Sequence, residues 1–315
     1  MFTEAQNFAI VQVELNSVFF QRFDELESMP SLATAKTGEI FKPLETTMAA
    51  YNEEVFKGTG LFPKIGETTT IPLSTPKVAN KLTTYISDFA NGIELSKNLF
   101  DDNLHGVWAE SVRDFADSAR RTQDQNAFGV FRGAFTSTLT ADGAYLCSAT
   151  HTLLSGGTAS NLVTSPSGVT NGALNSDTLN YALTNLMVQK NQAGVIVGNT
   201  GAILLVPPAL FKTAIELTDS ALIADTGNNA INVYRSAFGI TVYTSPWLSA
   251  AAGGSDTAWF VLAKNHGIRR LIRQGIQTAL TDWTYSKNRT YYYQANFREA
   301  VYAVDWAGIV GSTGL

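Results

Sequence analysis

A single cysteine, Cys147, occurs in 315 residues, which excludes an internal disulfide and suits a reducing compartment. Charge is also scarce. Charged residues make up 16% of the chain, where a globular domain usually has roughly a quarter. A surface this poor in charge suits one covered by copies of the same chain or by a partner. Lys and Arg number 22 against 27 Asp and Glu, a net charge of −5, so the general basic character that wraps nucleic acid is missing. The three histidines, His105, His151 and His266, stand far apart, and none lies at a metal-ligand spacing from another or from Cys147. No metal or cofactor is therefore expected. The most apolar run, Gly201 to Phe211, is interrupted by Pro207-Pro208 and is too short to cross a bilayer. The first residues carry no basic stretch followed by an apolar core and a cleavage pattern. These absences lead us to expect a soluble protein, without a membrane partner, made in a cytoplasm.

What is present begins with a helix. From His105 to Phe135 there is no proline, and the large apolar residues fall at Trp108, Val112 and Phe115, then at Phe128, Phe131 and Phe135. Steps of four and three put each trio on one helical face. The polar run Arg120 to Asn126 separates the trios, which predicts a less buried middle. About 30 residues at 1.5 Å each make a rod of roughly 45 Å, long enough to act as a spine.

Before the spine, Phe8, Val11, Leu15, Val18 and Phe19 keep helical spacing, and the acidic Asp24, Glu25 and Glu27 precede the break at Met29-Pro30. Thr46 to Phe56 reads as a further short helix. Residues 57–81 change character, with glycines, prolines and the β-favouring run Thr68 to Ile71. Two short strands in a protruding hairpin are expected there, with a plain surface loop as the alternative. Alternation returns over Leu82 to Leu95, and Asp101-Asp102 lead into the spine. After it come Ala-, Gly-, Ser- and Thr-rich sequence, a helix over 175–192 capped by Asn175 or Ser176, the apolar strand Ala202 to Val206, a helix started by Pro207-Pro208, and a loop tip at Asp225 to Asn229. Tyr291 to Phe297 alternate as a half-buried strand, and an apparent change of parity predicts a bulge near Arg298–Glu299.

Catalytic patterns are thin. Ser148, His151 and Asp142 have the chemistry of a hydrolytic triad, but no G-x-S-x-G surrounds the serine. Ser155 to Asn161 lacks the lysine of a phosphate-binding loop, and no G-x-G-x-x-G follows a strand. Arg269, Arg270 and Arg273 form the densest basic patch, read as a solvated strand face, as partners for a neighbour's Asp24, Glu25 and Glu27, or as a weak phosphate contact.

EVFKGTGLFPKIGETTTIP leading to IELSKNLFDDN, then LCSATHTLLSGGTASNL, AILLVPPALFKTAIEL, NVYRSAFGITVYTSPWL, WFVLAKNHGIRRLIRQG and YYYQANFREAVYAVDWAGIVGSTG, in this order, resemble the major capsid protein of tailed bacteriophages, in the Mu-like major head subunit group with the Hong Kong 97-type fold. The resemblance covers about residues 45–315. It implies an α+β fold divided into an arm (1–56), an extended loop (57–81), a peripheral domain with the spine helix (82–136, helix 105–135), an axial α/β domain (137–255) and a returning β segment (256–315) that completes both domains. It implies a structural subunit and no enzyme, assembling as hexamers and pentamers into an icosahedral virion shell around double-stranded DNA, with portal and scaffolding proteins as partners. With the hairpin reached by about residue 57, no amino-terminal scaffold segment is expected. Expected contacts between subunits are Phe62, Lys64, Ile65 and Glu67 in the loop, Asp24, Glu25 and Glu27 in the arm, and Arg269, Arg270 and Arg273. Arg120 and Arg121 are expected to face a neighbour or the shell interior. Alternatives are a protein-filled compartment of the same fold and a soluble hydrolase.

Overall fold

A computed structural model describes residues 4–25, 31–67, 70–98, 105–163, 172–220, 234, 238–281 and 289–315. Glu27, the lead-in Asp101-Asp102 and the loop tip 225–229 lie outside them.

The molecule is built on two four-stranded sheets that share the spine helix. In chain order, α1 (Glu4–Glu25), β1 (Lys42–Glu45), β2 (Ala50–Phe56), β3 (Val78–Tyr85) and β4 (Ser87–Ser96) precede α2 (His105–Arg132). After it come β5 (His151–Thr152), β6 (Thr158–Ala159), α3 (Ser176–Val188), β7 (Gly201–Val206), α4 (Phe211–Thr218) and β8 (Thr241–Thr244). The chain closes with β9 (Trp259–Ala263), β10 (Ile268–Thr281), β11 (Thr290–Ala303) and β12 (Ile309–Ser312). The first sheet runs β1-β10-β11-β4 and the second β12-β9-β7-β8, with β2-β3 and β5-β6 as separate hairpins.

The two apolar trios of α2 serve different cores. Trp108, Val112 and Phe115 pack with Leu15, Phe19 and Phe23 of α1 and with Tyr293 of β11. Phe128 and Phe131 join Phe41, Leu205 and Phe260 in a second core. The helix ends at Arg132, three residues short of the spacing-based expectation. Turns at 133–137 follow, and Phe135 reaches Phe260 from beyond the helix.

One face of the polar middle of the spine is buried, contrary to expectation, while Arg121 and Gln125 on the other remain exposed. Arg120 is 2% exposed, and Gln123 and Asp124 are buried with it. Hydropathy reads polar as exposed, but here the arm folds back over this face and supplies a donor to Asp124. Ala35 N donates to Asp124 Oδ1 at 2.7 Å, and Arg22 makes two hydrogen bonds to Asp117, at 2.8 and 3.0 Å.

Thr46–Phe56 is no helix. Residues 50–56 form β2, paired antiparallel with β3. Its inward positions Tyr51 and Val55 pack with Leu82 and Ile86 over Leu271, Ala300 and Tyr302. The hairpin ladder therefore lies on either side of 57–77, and the described residues between carry no strand.

The bulge predicted in β11 falls on its partner. Odd-numbered residues from Tyr291 to Ala303 all face the helices, and the register breaks lie in β10, around Gln274. What changes near residue 299 is the opposite face. Gln294 and Asn296 are exposed, whereas Ala300, Tyr302 and Val304 lie under the β2-β3 hairpin. A strand covered on both faces loses its hydrophobic alternation without changing parity.

In the second sheet, β7 is buried between α3 and the strands beside it. Asn175 caps α3, its Oδ1 accepting from Thr178 N while Thr178 Oγ1 accepts from Asn175 N, both at 2.9 Å.

Candidate assembly surfaces

Residues proposed from sequence for catalysis come together without forming a catalytic site. His151 Nδ1 lies 2.8 Å from Asp142 Oδ2, and its Nε2 lies 3.0 Å from Asn161 Oδ1. The Asn161 amide cannot be turned around, because its Nδ2 donates to Leu146 O and its Oδ1 accepts from Ser148 N. Both ring nitrogens thus face oxygens within the protein, and neither is left open to take a proton from a nucleophile. Trp306 stacks on the ring at 4.6 Å, and His151 is fully buried. Burial alone raises a carboxyl's pKa, yet the hydrogen bonds from His151 and Thr140 outweigh it and hold Asp142 below its ordinary value. Ser148 meets this network through its backbone N–H, while its Oγ accepts from Thr150 N. The cluster is a buried staple joining residues 140–152, 161 and 306. Cys147 is also buried, which pushes its thiol pKa up and leaves it inert. Among the described residues no group of His, Cys, Asp and Glu could hold a metal ion, and no helix is long and apolar enough to cross a membrane.

The arginine patch divides. Arg270, 6% exposed, is buried rather than on a solvated strand face, clamped to Glu299 by bonds of 2.9 and 2.6 Å to Oε2. Burial of this pair follows from parity, since both residues sit on the helix-facing side. Arg269 faces the hairpin, 3.6 Å from Glu53 Oε1, where Tyr302 OH donates to Glu53 Oε2 at 2.7 Å. Arg273 is half-buried. Arg120, buried in the spine, is likewise corrected from the expected surface set, whereas Arg121 is exposed and 3.6 Å from Asp117.

The loop and the arm are different. Phe62 is 95% exposed, Leu73 93% and Leu61 80%, with Lys64, Ile65 and Glu67 exposed among them. Asp24 and Glu25 stand at the end of α1, Asp24 paired with Lys36 at 3.4 Å and Glu25 with Arg22 at 3.6 Å. A segment this rich in exposed apolar side chains has no core of its own.

A sequence profile described as "Phage capsid protein" matches residues 80–312. The chain belongs to the phage capsid protein family. No curated protein matches this capsid protein by sequence. Solved structures do match its fold. A structure titled "Microbacterium phage Oxtober96" is 14% identical, with 90% of this chain and 92% of that chain covered at a TM-score of 0.55. The capsid of a native GTA particle is 16% identical, covering 89% and 90% at 0.56. A virus-like particle from Pyrococcus furiosus is 7% identical, covering 95% and 97% at 0.55. At such identities the likeness concerns the fold, the Hong Kong 97-type α+β architecture. The capsid protein is a major capsid protein of the tailed-phage type, a structural subunit many copies of which build the icosahedral shell of the virion.

Proposed function

We propose that copies of this chain close as hexamers and pentamers around double-stranded DNA, in a bacterial host cytoplasm, with a portal and a scaffolding protein as further partners. The carrying observation is the 57–77 loop: it projects from a hairpin anchored on the first sheet and exposes Leu61, Phe62 and Leu73. Such a segment is a liability in a monomer and a clasp once a neighbour covers it. Rings of one subunit type need two different patches of the same chain to meet, and a loop with a separate receptor supplies both. On this reading the β1-β10-β11-β4 sheet with α2 is the peripheral domain and the β12-β9-β7-β8 sheet with α3 and α4 is the axial one. A net charge of −5 limits sticking to packaged DNA, over a range of about 8 Å at physiological salt.

A shell of the same fold filled with protein is the second reading.

Removing residues 60–75 leaves a short connection between β2 and β3 and spares their ladder. The deletion variant is expected to remain a folded subunit with an unchanged melting curve, and to give no closed shells in electron micrographs. Normal shells from this variant would refute the clasp.

A further inference from the structure

The sequence holds two Asn-Gly pairs, Asn91-Gly92 and Asn171-Gly172. In such a pair the glycine nitrogen can attack the side-chain carbonyl carbon of the asparagine, because no Cβ on the glycine stands in the way. The fold treats the two nitrogens differently. Gly172 N donates to Leu315 O at 3.0 Å, and Gly172 O accepts from Trp259 Nε1 at 2.9 Å, so that glycine is held on both sides. Gly92 lies in β4, at the edge of the first sheet. One step beyond the Ser96–Thr290 pair, Lys97 N donates to Arg289 O at 3.1 Å. Bonded and non-bonded pairs alternate along antiparallel strands. The odd-numbered residues of β4 therefore bond β11, and the even-numbered ones turn their N–H groups to the open edge. Gly92 N faces that edge and donates to Oδ1 of its own neighbour, Asn91, at 2.9 Å. Both residues are exposed. Asn91 also lines a pocket of about 300 Å³ between β4 and α2, walled by Phe89, Phe115 and Phe297, which gives its amide room to turn.

We infer that Asn91 is a site of spontaneous deamidation in the folded subunit, and that Asn171 is not. Gly92 N gives up its proton and bonds to Cγ of Asn91. The bond from Cγ to Nδ2 breaks, and the side-chain nitrogen leaves as ammonia, carrying that proton. One water then opens the cyclic imide. Cleavage between Gly92 N and Cγ leaves aspartate at position 91. Cleavage between Gly92 N and the backbone carbonyl carbon leaves isoaspartate, with the chain running through the former side chain. Water enters, ammonia leaves, and nothing is oxidised or reduced. Aspartate keeps the ladder and adds a negative charge at the mouth of the pocket. Isoaspartate lengthens the backbone by a methylene group, and β4 beyond it cannot hold its register. Ile93 and Leu95, which pack with Leu15, Phe115 and Tyr293, are then displaced. The modification acts as a clock on the sheet that carries the spine helix.

Peptide mapping of the full-length subunit tests this, after incubation in warm, mildly alkaline buffer with and without urea. Trypsin releases residues 82–97 as one peptide, between Lys81 and Lys97. That peptide should gain the mass of an acid replacing an amide in both samples, and should accept methyl groups from an isoaspartate-specific carboxyl methyltransferase. Asn171 should convert only in urea. Asn91→Gln, whose longer side chain closes an imide ring far more slowly, should lose the change in peptide 82–97. After incubation the native chain should melt lower, whereas the variant should keep its melting curve. An Asn91 that stays an amide in the folded chain while the urea sample converts overturns the inference. So does conversion of Asn171 in the folded chain at the same rate as Asn91. An isoaspartate-bearing subunit with an unshifted melt overturns the displacement of Ile93 and Leu95.

Discussion

His266 shows how burial sets the chemistry of one side chain. Its Nε2 donates to Glu39 O at 2.8 Å, and its Nδ1 accepts from Ile268 N at 3.2 Å, which fixes the neutral ring. Burial lowers its pKa to about 4, with Lys42 and Arg269 adding to the effect. An unfolded histidine titrates near 6.5. Between those values the unfolded chain binds the extra proton, so this contribution to stability is complete above pH 6.5 and is lost as pH falls toward about 4. The loss is on the order of 3 kcal/mol. Urea unfolding of the subunit across that window should show it, and His266→Gln should flatten the slope. An equal slope in the variant would assign the effect elsewhere. Arg270 and Glu299 show burial of the opposite kind, two charges held by each other at 2.6 Å.

At the scale of elements, the spine helix joins two cores without belonging wholly to either. Its amino-terminal half packs on α1 and β11, its carboxy-terminal half on Phe41 and Phe260. Phe131 is 1% exposed with rings around it, Phe41 at 6.0 Å and Phe260 at 5.1 Å. Phe131→Ala should cost about 3–5 kcal/mol in chemical denaturation, the usual range for emptying a packed aromatic site. A cost below 1 kcal/mol would mean that the two cores are not tied through this face. The hairpin behaves differently: its root is fixed by Tyr51, Val55 and Glu53, whereas Leu61, Phe62 and Leu73 beyond it are exposed.

For the whole molecule, two sheets bridged by one helix carry a projecting loop whose Leu61, Phe62 and Leu73 are exposed. On the clasp reading these side chains are covered only in the assembly. On the DNA-filled reading, native particles should show the ultraviolet absorbance ratio of a nucleoprotein. A protein-like spectrum from intact, sealed particles would favour the second reading instead.

The sequence by itself determined what local chemistry and spacing can carry. The apolar positions Trp108, Val112, Phe115, Phe128 and Phe131 of α2, the cap at Asn175, the strand Ala202–Val206 and the apolar, core-free character of residues 57–77 were legible because each depends on near neighbours in the chain. The order of such motifs was also enough to resemble a capsid subunit. Only the tertiary structure decided which polar groups are hidden. Arg120 and Asp124 look exposed until the arm covers them, and Arg270 looks like surface charge until Glu299 is placed across the ladder. The alternation of β11 blurs because a hairpin more than 200 residues earlier in the chain covers its second face. His151 and Asp142 look catalytic until Asn161 takes the remaining ring nitrogen. In each case the partner is distant in sequence, so burial and pairing exist only once the chain has folded.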